Sequence, residues 1–166
     1  MAHPRILIAG IGNIFLGDDA FGIEVLQKLV QRPPLPGVQA IDFGIRGFDL
    51  ACAMTSGYEA VILVDAVSRG GAPGTLSVIQ PDIEELAARG QAEIEGHSLT
   101  PARVLQCVHA LSGRIPPVYI VGCEPISFGT DENPQMGLSP PIAEAVPRAV
   151  ELIESLVGEI SAGRSA

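Results

Sequence analysis

Strand-like runs rich in isoleucine, valine and leucine recur along this chain: "RILIAG" (5–10), "VQAID" (38–42), "AVILVDA" (60–66), "TLSVI" (75–79) and "VYIVGC" (118–123). Several are apolar on nearly every residue, and this constrains the fold more than any other feature. A strand with one wet face alternates polar and apolar residues. A strand that is apolar throughout has both faces covered, as in a parallel sheet flanked by helices.

Helix-like stretches fill the intervals. In 19–31, Ala20, Ile23, Val25, Leu26, Leu29 and Val30 recur at spacings near three and four. "GFDLACAMTS" (47–56), "PDIEELAARG" (81–90), "TPARVLQCVHAL" (100–111) and "SPPIAEAVPRAVELIESLV" (139–157) are the others. Two of them begin with a hydroxyl residue followed by proline, a favoured helix start. Alternating strands and helices predict a three-layer α/β/α sandwich with a mostly parallel, twisted sheet of about five strands. At 166 residues the chain suits one domain. The pattern places that domain at 1–157 and leaves 158–166 as a frayed tail. The nineteen glycines and fourteen prolines cluster in connections such as "RPPLPG" and "RGGAPG", not in one linker, so no second domain is expected.

Charge and composition exclude several classes of function. A net charge of −9 argues against a nucleic-acid backbone as the main partner, which needs a basic face. No apolar run reaches the roughly 18 residues of a membrane span. "MAHPRILIAG" runs straight into a strand without the apolar core and cleavage site of a signal peptide, which points to the cytoplasm. Cys52, Cys107 and Cys123 lie far apart with no CxxC spacing, and are expected to be three buried thiols.

The chemistry gathers where the predicted strands end. In an open α/β sheet, ligands bind beyond the carboxyl ends of the strands, near a switch point. After the first strand, "GIGNIFLGDDAFG" (10–22) carries Asn13, Asp18 and Asp19. A glycine turn of this kind usually welcomes anions, which two carboxylates would repel. Asp42 ends the second strand, Asp65 the third, Glu124 follows "VYIVGC", and His97 stands in the loop before the 100–111 helix. Each also has a plainer reading: Asp18 and Asp19 could cap the next helix, Asp65 could hold a neighbouring loop, Asp42 could shape a turn, and His97 could be an ordinary loop histidine. Taken together, two carboxylates and a neutral imidazole form a mixed oxygen and nitrogen ligand set for a divalent transition metal. Three protein ligands leave positions open for substrate.

In these residues the sequence resembles the [NiFe]-hydrogenase maturation endopeptidases (peptidase family M52). Those proteins open with a strand and G-x-G-N-x-x-x-x-D-D/E-x-x-G, which here reads "GIGNIFLGDDAFG". They continue with a D-x-G-x-x-G element ("DFGIRG", 42–47), an apolar strand ending in aspartate ("VILVDAV") and a histidine ahead of a helix ("GHSLTPARVL"). "GCEP" and "GLSPPI…AV" also match, and the likeness runs from about residue 5 to 157. It implies removal of a C-terminal extension from a hydrogenase large-subunit precursor after nickel insertion. It implies Asp19, Asp65 and His97 as metal contacts; Asp42, at the end of the second strand, is then expected close enough to assist substrate binding or proton transfer, unless it only shapes its turn with Gly44 and Gly47. The nickel is then supplied by the precursor, which is the expected partner, and is not held tightly by the free protease. Two departures stand out. Position 19 holds Asp where some members have Glu, and Ile45 followed by Arg46 replaces the threonine of a D-x-G-T element.

Two readings compete. A nucleotide-dependent oxidoreductase would use "GIGNIF" as a dinucleotide turn and Asp42 as its ribose acid. Phe15 stands at the third glycine position, however, and Asp18 and Asp19 crowd the pyrophosphate seat. A non-catalytic chaperone of the nickel-loaded precursor would need the same residues as the protease.

Overall fold

The computed structural model describes residues 5–88, 99–130 and 132–163. In chain order the elements are β1 (Ile6–Ile11), a 3-10 turn (Gly17–Ala20), α1 (Phe21–Leu29), β2 (Val38–Gly44), α2 (Gly47–Met54), β3 (Ala60–Ala66), β4 (Leu76–Ile79), α3 (Ile83–Ala88), α4 (Pro101–Ser112), β5 (Val118–Cys123) and α5 (Pro140–Ala162). The five strands form one sheet in the order β2-β1-β3-β5-β4. All neighbours pair in parallel except β4, which lies antiparallel to β5 at one edge. This is the mostly parallel α/β sandwich that the apolar runs predict.

Strand alternation divides the core in two. Ile6 and Ile8 of β1, with Ala60, Ile62 and Val64 of β3, pack under α1 and α5. Leu7, Ala9 and Ile11, with Val61 and Leu63, pack under α2 and α4. Every residue of β1 is therefore buried. By the same alternation, Asp65 belongs to the α2 and α4 face.

Three details differ from the sequence reading. The stretch 19–31 is not one helix: Gly17–Ala20 form a tight turn and the α-helix ends at Leu29, a few residues before Pro33 and Pro34. Helix α5 continues to Ala162, beyond the 157 boundary, because Ile160 extends its buried stripe of Ile142, Val146, Val150, Ile153 and Val157. Of the three thiols only Cys123 is buried; Cys107 is partly covered, and Cys52 falls on the outer face of α2. Burial pushes the Cys123 thiol up to about 11.

Thr100 behaves as its proline-flanked position suggests: its hydroxyl caps α4 by accepting from the Arg103 N–H at 3.3 Å. Ser139 starts α5 but makes no such cap. Its side chain is committed to the site described next.

Candidate active site

The chain leaves β1 toward β2 on one side and later returns to place β3 on the other, so the strand order reverses between β1 and β3. The crevice beyond their carboxyl ends is where such a sheet binds ligands. Gly10 of β1 stands beside Val64 of β3, one residue before Asp65. The glycine turn and the strand-end aspartate therefore meet at the switch point.

Two glycines let them meet closely. A Cβ on Gly22 would lie 2.2 Å from the Val64 carbonyl oxygen and 2.5 Å from that of Ile11. No real side chain fits there, so the start of α1 presses directly on the ends of both strands. Gly12 adopts φ +144°, and a Cβ on it would lie 1.9 Å from the Asp19 carbonyl oxygen. The turn can thus fold back over itself and carry residue 19 to the strand ends.

Asp19 is half-buried, and its Oδ2 accepts from the Asn13 N–H at 2.9 Å. Burial raises its pKa above the usual carboxylate value, opposed by that N–H. Asp65 is buried, and its Oδ1 accepts from the Ala66 N–H at 2.9 Å. Its pKa is raised well above the ordinary value, first by burial and then by the charge of Asp19, with the Ala66 N–H opposing. The charge of Asp19 thus disfavours ionisation of Asp65, and burial disfavours ionisation of both. A divalent cation between them would relieve both desolvation and repulsion, so this pair fits oxygen ligation of a metal. Among the described residues no three His, Cys, Asp or Glu side chains gather into a metal-holding cluster. His97 lies outside the described residues.

Asp18, adjacent in sequence, does something else. It is fully buried, and its carboxylate accepts four hydrogen bonds: from the Ser139 N–H at 2.7 Å, the Ser139 hydroxyl at 3.0 Å, the Ile126 N–H at 2.9 Å and the Ser127 N–H at 3.1 Å. Burial alone would raise its pKa, but these donors outweigh it and hold Asp18 below the ordinary value. Neither aspartate caps the following helix through its side chain. Asp18 instead buckles the β5–α5 connection onto the glycine turn. Backbone bonds between Gly17 and Gln135 and between Gln135 and Phe15, both 2.8 Å, reinforce the closure. Ser139 has the local signature of a helix start, and this clasp has no local signature because 121 positions separate the partners.

Asp42 is exposed; its Oδ1 accepts from the Gly44 N–H at 2.8 Å and its carbonyl accepts from Arg46 at 2.6 Å. The turn-shaping reading thus has a bond behind it, and the same residue faces a cleft. Glu124 spends its carboxylate on the N–H groups of Arg69 at 2.8 Å and Gly70 at 3.2 Å, fastening the connection between β3 and β4. Beside the switch point opens a cleft of about 380 Å³, walled by the glycine turn on one side and the β2–α2 turn on the other.

The family model described as hydrogenase maturation protease (HycI) matches residues 23–156. The chain belongs to the hydrogenase maturation proteases. It is 32% identical over 157 residues to the hydrogenase 2 maturation protease of Escherichia coli, covering 93% of this chain and 92% of that one. It is also 34% identical over 159 residues to the coenzyme F420 hydrogenase subunit delta of Methanothermobacter thermautotrophicus, covering 93% and 95%. Among solved structures it resembles the hydrogenase maturating endopeptidase HybD of Escherichia coli, with a TM-score of 0.74, 32% identity and 93% of each chain covered. The [NiFe] hydrogenase maturation protease HycI of Thermococcus kodakarensis matches with a TM-score of 0.67 and 29% identity, again over 93% of each chain. This maturation protease is therefore a peptide-bond hydrolase by family. Among its described residues no helix is long and apolar enough to cross a membrane.

Proposed function

We propose that this maturation protease removes the C-terminal extension of a [NiFe]-hydrogenase large-subunit precursor after nickel insertion, and that the precursor's own nickel is its recognition signal. The observation that carries this reading is the meeting of Asp19 and Asp65 at the switch point, where burial disfavours the ionised form of both and the charge of Asp19 adds to this at Asp65. A carboxylate pair of this kind gains from a cation brought to it. The nickel is substrate cargo, and the free protease needs no resident metal.

In this reading Asp19, Asp65 and His97 contact the precursor's nickel and thereby fix the scissile peptide in the crevice. Holding the bond in one orientation converts part of the barrier into binding free energy already realised. Hydrolysis then requires water to add to the carbonyl carbon, the C–N bond to break and the leaving amine to gain a proton. We assign Asp42 to substrate binding or to that proton transfer. It stands on the cleft wall with one carboxylate oxygen taken by Gly44. Release of the extension frees the new C-terminus of the large subunit to fold over its metal centre.

Incubating the protease in parallel with nickel-loaded and nickel-free precursor tests the recognition step. The loaded form is expected to be cut and the nickel-free form left whole. Equal cutting of both would remove nickel as the signal.

A further inference from the structure

The cleft beside the switch point is lined by buried Ile23 and Phe43 and by Ile14, Phe15 and Ile45, three large apolar residues left exposed. Asp42 and Arg46 are among the polar residues of its lining. Phe15 is 54% exposed and Ile45 is 66% exposed. Large exposed apolar side chains gathered along one cleft mark a binding surface more often than scattered single ones do.

The walls are also built to stay in place. The Gly12 N–H donates to the Gly44 carbonyl at 3.0 Å, tying the glycine turn to the β2–α2 turn. Asp42 Oδ1 pins Gly44, which sits at φ +54°. Arg46 is held by three contacts: its Nη2 donates to the Asp42 carbonyl at 2.6 Å, its Nη1 lies 3.6 Å from Asp49, and its guanidinium lies 5.6 Å from the Phe43 ring centre. Its charge is therefore partly balanced, while a guanidinium has five N–H donors, more than these contacts use. A neutral acceptor such as a peptide carbonyl suits it better than a third anion beside Asp42 and Asp49.

We propose that this cleft is a side-chain-selecting subsite of the protease. It takes an extended stretch of precursor next to the scissile bond, with an apolar side chain between Phe15 and Ile45 and a main-chain carbonyl on Arg46. The proposal rests on the function assigned above. The occupant follows from continuity: Gly12 and Asn13 line the cleft, and the Asn13 N–H holds the Asp19 carboxylate. A chain lying in the cleft therefore runs directly to the Asp19 and Asp65 corner. A volume of about 380 Å³ lies at the small end of ligand pockets, enough for one large apolar side chain and its flanking backbone.

The test uses the nickel-loaded precursor and three exposed-residue variants, Phe15→Ser, Ile45→Ser and Arg46→Gln, measuring both precursor affinity and cleavage. Each variant is expected to keep the wild-type melting temperature, to weaken precursor binding about tenfold and to raise KM with kcat little changed. A photoreactive side chain at position 45 should crosslink to the precursor's C-terminal region. Unchanged affinity in all three variants, or a crosslink to a second copy of the protease alone, overturns the subsite. The two proposals fail separately. Ile45-dependent binding without cleavage removes the protease reading and keeps the subsite, whereas cleavage indifferent to all three variants does the reverse.

Discussion

Asp18 reaches Ser139 through both its backbone N–H, at 2.7 Å, and its hydroxyl, at 3.0 Å, joining the glycine turn to the start of α5. Asp19, the very next residue, turns instead to Asn13 and to the corner shared with Asp65. One aspartate is a fastener and the other is left available for chemistry.

Removing the fastener leaves three part-buried N–H groups and the Ser139 hydroxyl without their acceptor. Asp18→Ala is expected to cost on the order of 3 kcal/mol in urea unfolding, because several charge-assisted bonds and their desolvated donors are lost together. Asp18→Asn, which can still accept, should cost less. Equal stability of Asp18→Ala and wild type would mean that the clasp contributes nothing.

Of the three perturbed aspartates, Asp18 and Asp65 make opposite contributions to stability against pH, and Asp19 is shifted in the same direction as Asp65. Asp18 is depressed in the folded state, so its contribution is present above the ordinary unfolded value of about 3.9 and is lost as pH falls through the lower folded value. Asp65 is raised, so the folded state binds the extra proton. Its contribution is present below about 3.9 and is lost as pH climbs to the raised value. Asp65→Asn keeps an oxygen for the Ala66 N–H and removes this loss. Its stability relative to wild type should therefore grow as pH is raised above 4, while Asp18→Asn should lose ground to wild type only as pH rises toward about 3.9 from the lower folded value, with a constant difference above it. Parallel profiles for Asp65→Asn and wild type would contradict the buried pair.

Gly22 has no room for a methyl group between the ends of β1 and β3. Gly22→Ala should push α1 off the strands, destabilise the protein by several kcal/mol and disturb precursor cutting. Gly37, whose Cβ would meet nothing within 4 Å, serves as a comparison: its φ of +70° limits the cost of Gly37→Ala to backbone strain of roughly 1 kcal/mol. Thermal melting of both variants separates the two effects.

The Thr100 cap has an ordinary magnitude. Thr100→Ala should lower stability by about 1 kcal/mol, and Thr100→Ser should restore most of it. Denaturant midpoints of the three proteins check this.

How much of this was legible beforehand depends on the range of the interaction. β1 and β3 could be read because an unbroken apolar run has few ways to be buried. Asp65 could be placed at a strand end for the same reason. The residue pattern alone could not tell Asp18 from Asp19, which only the family resemblance singled out, because the partners of Asp18 lie in the β5–α5 connection and only the folded chain brings them together. Ser139 before Pro140 has the local signature of a cap, which the long-range bond overrides. Cys52 follows buried Ala51 on a short helix, and one residue of rotation puts it outside. The cleft of Phe15, Ile45 and Arg46 joins two turns whose approach depends on the Gly12–Gly44 bond, which no local pattern announces.

The most direct measurement is the intact mass of a nickel-loaded large-subunit precursor after incubation with wild type and with Asp19→Ala, Asp65→Ala and His97→Ala. Loss of one defined C-terminal peptide with wild type, and its retention with all three folded variants, is the expected result. An uncut precursor held in a stable complex with wild type would point to a chaperone instead. Cutting by all three variants would contradict the assigned site.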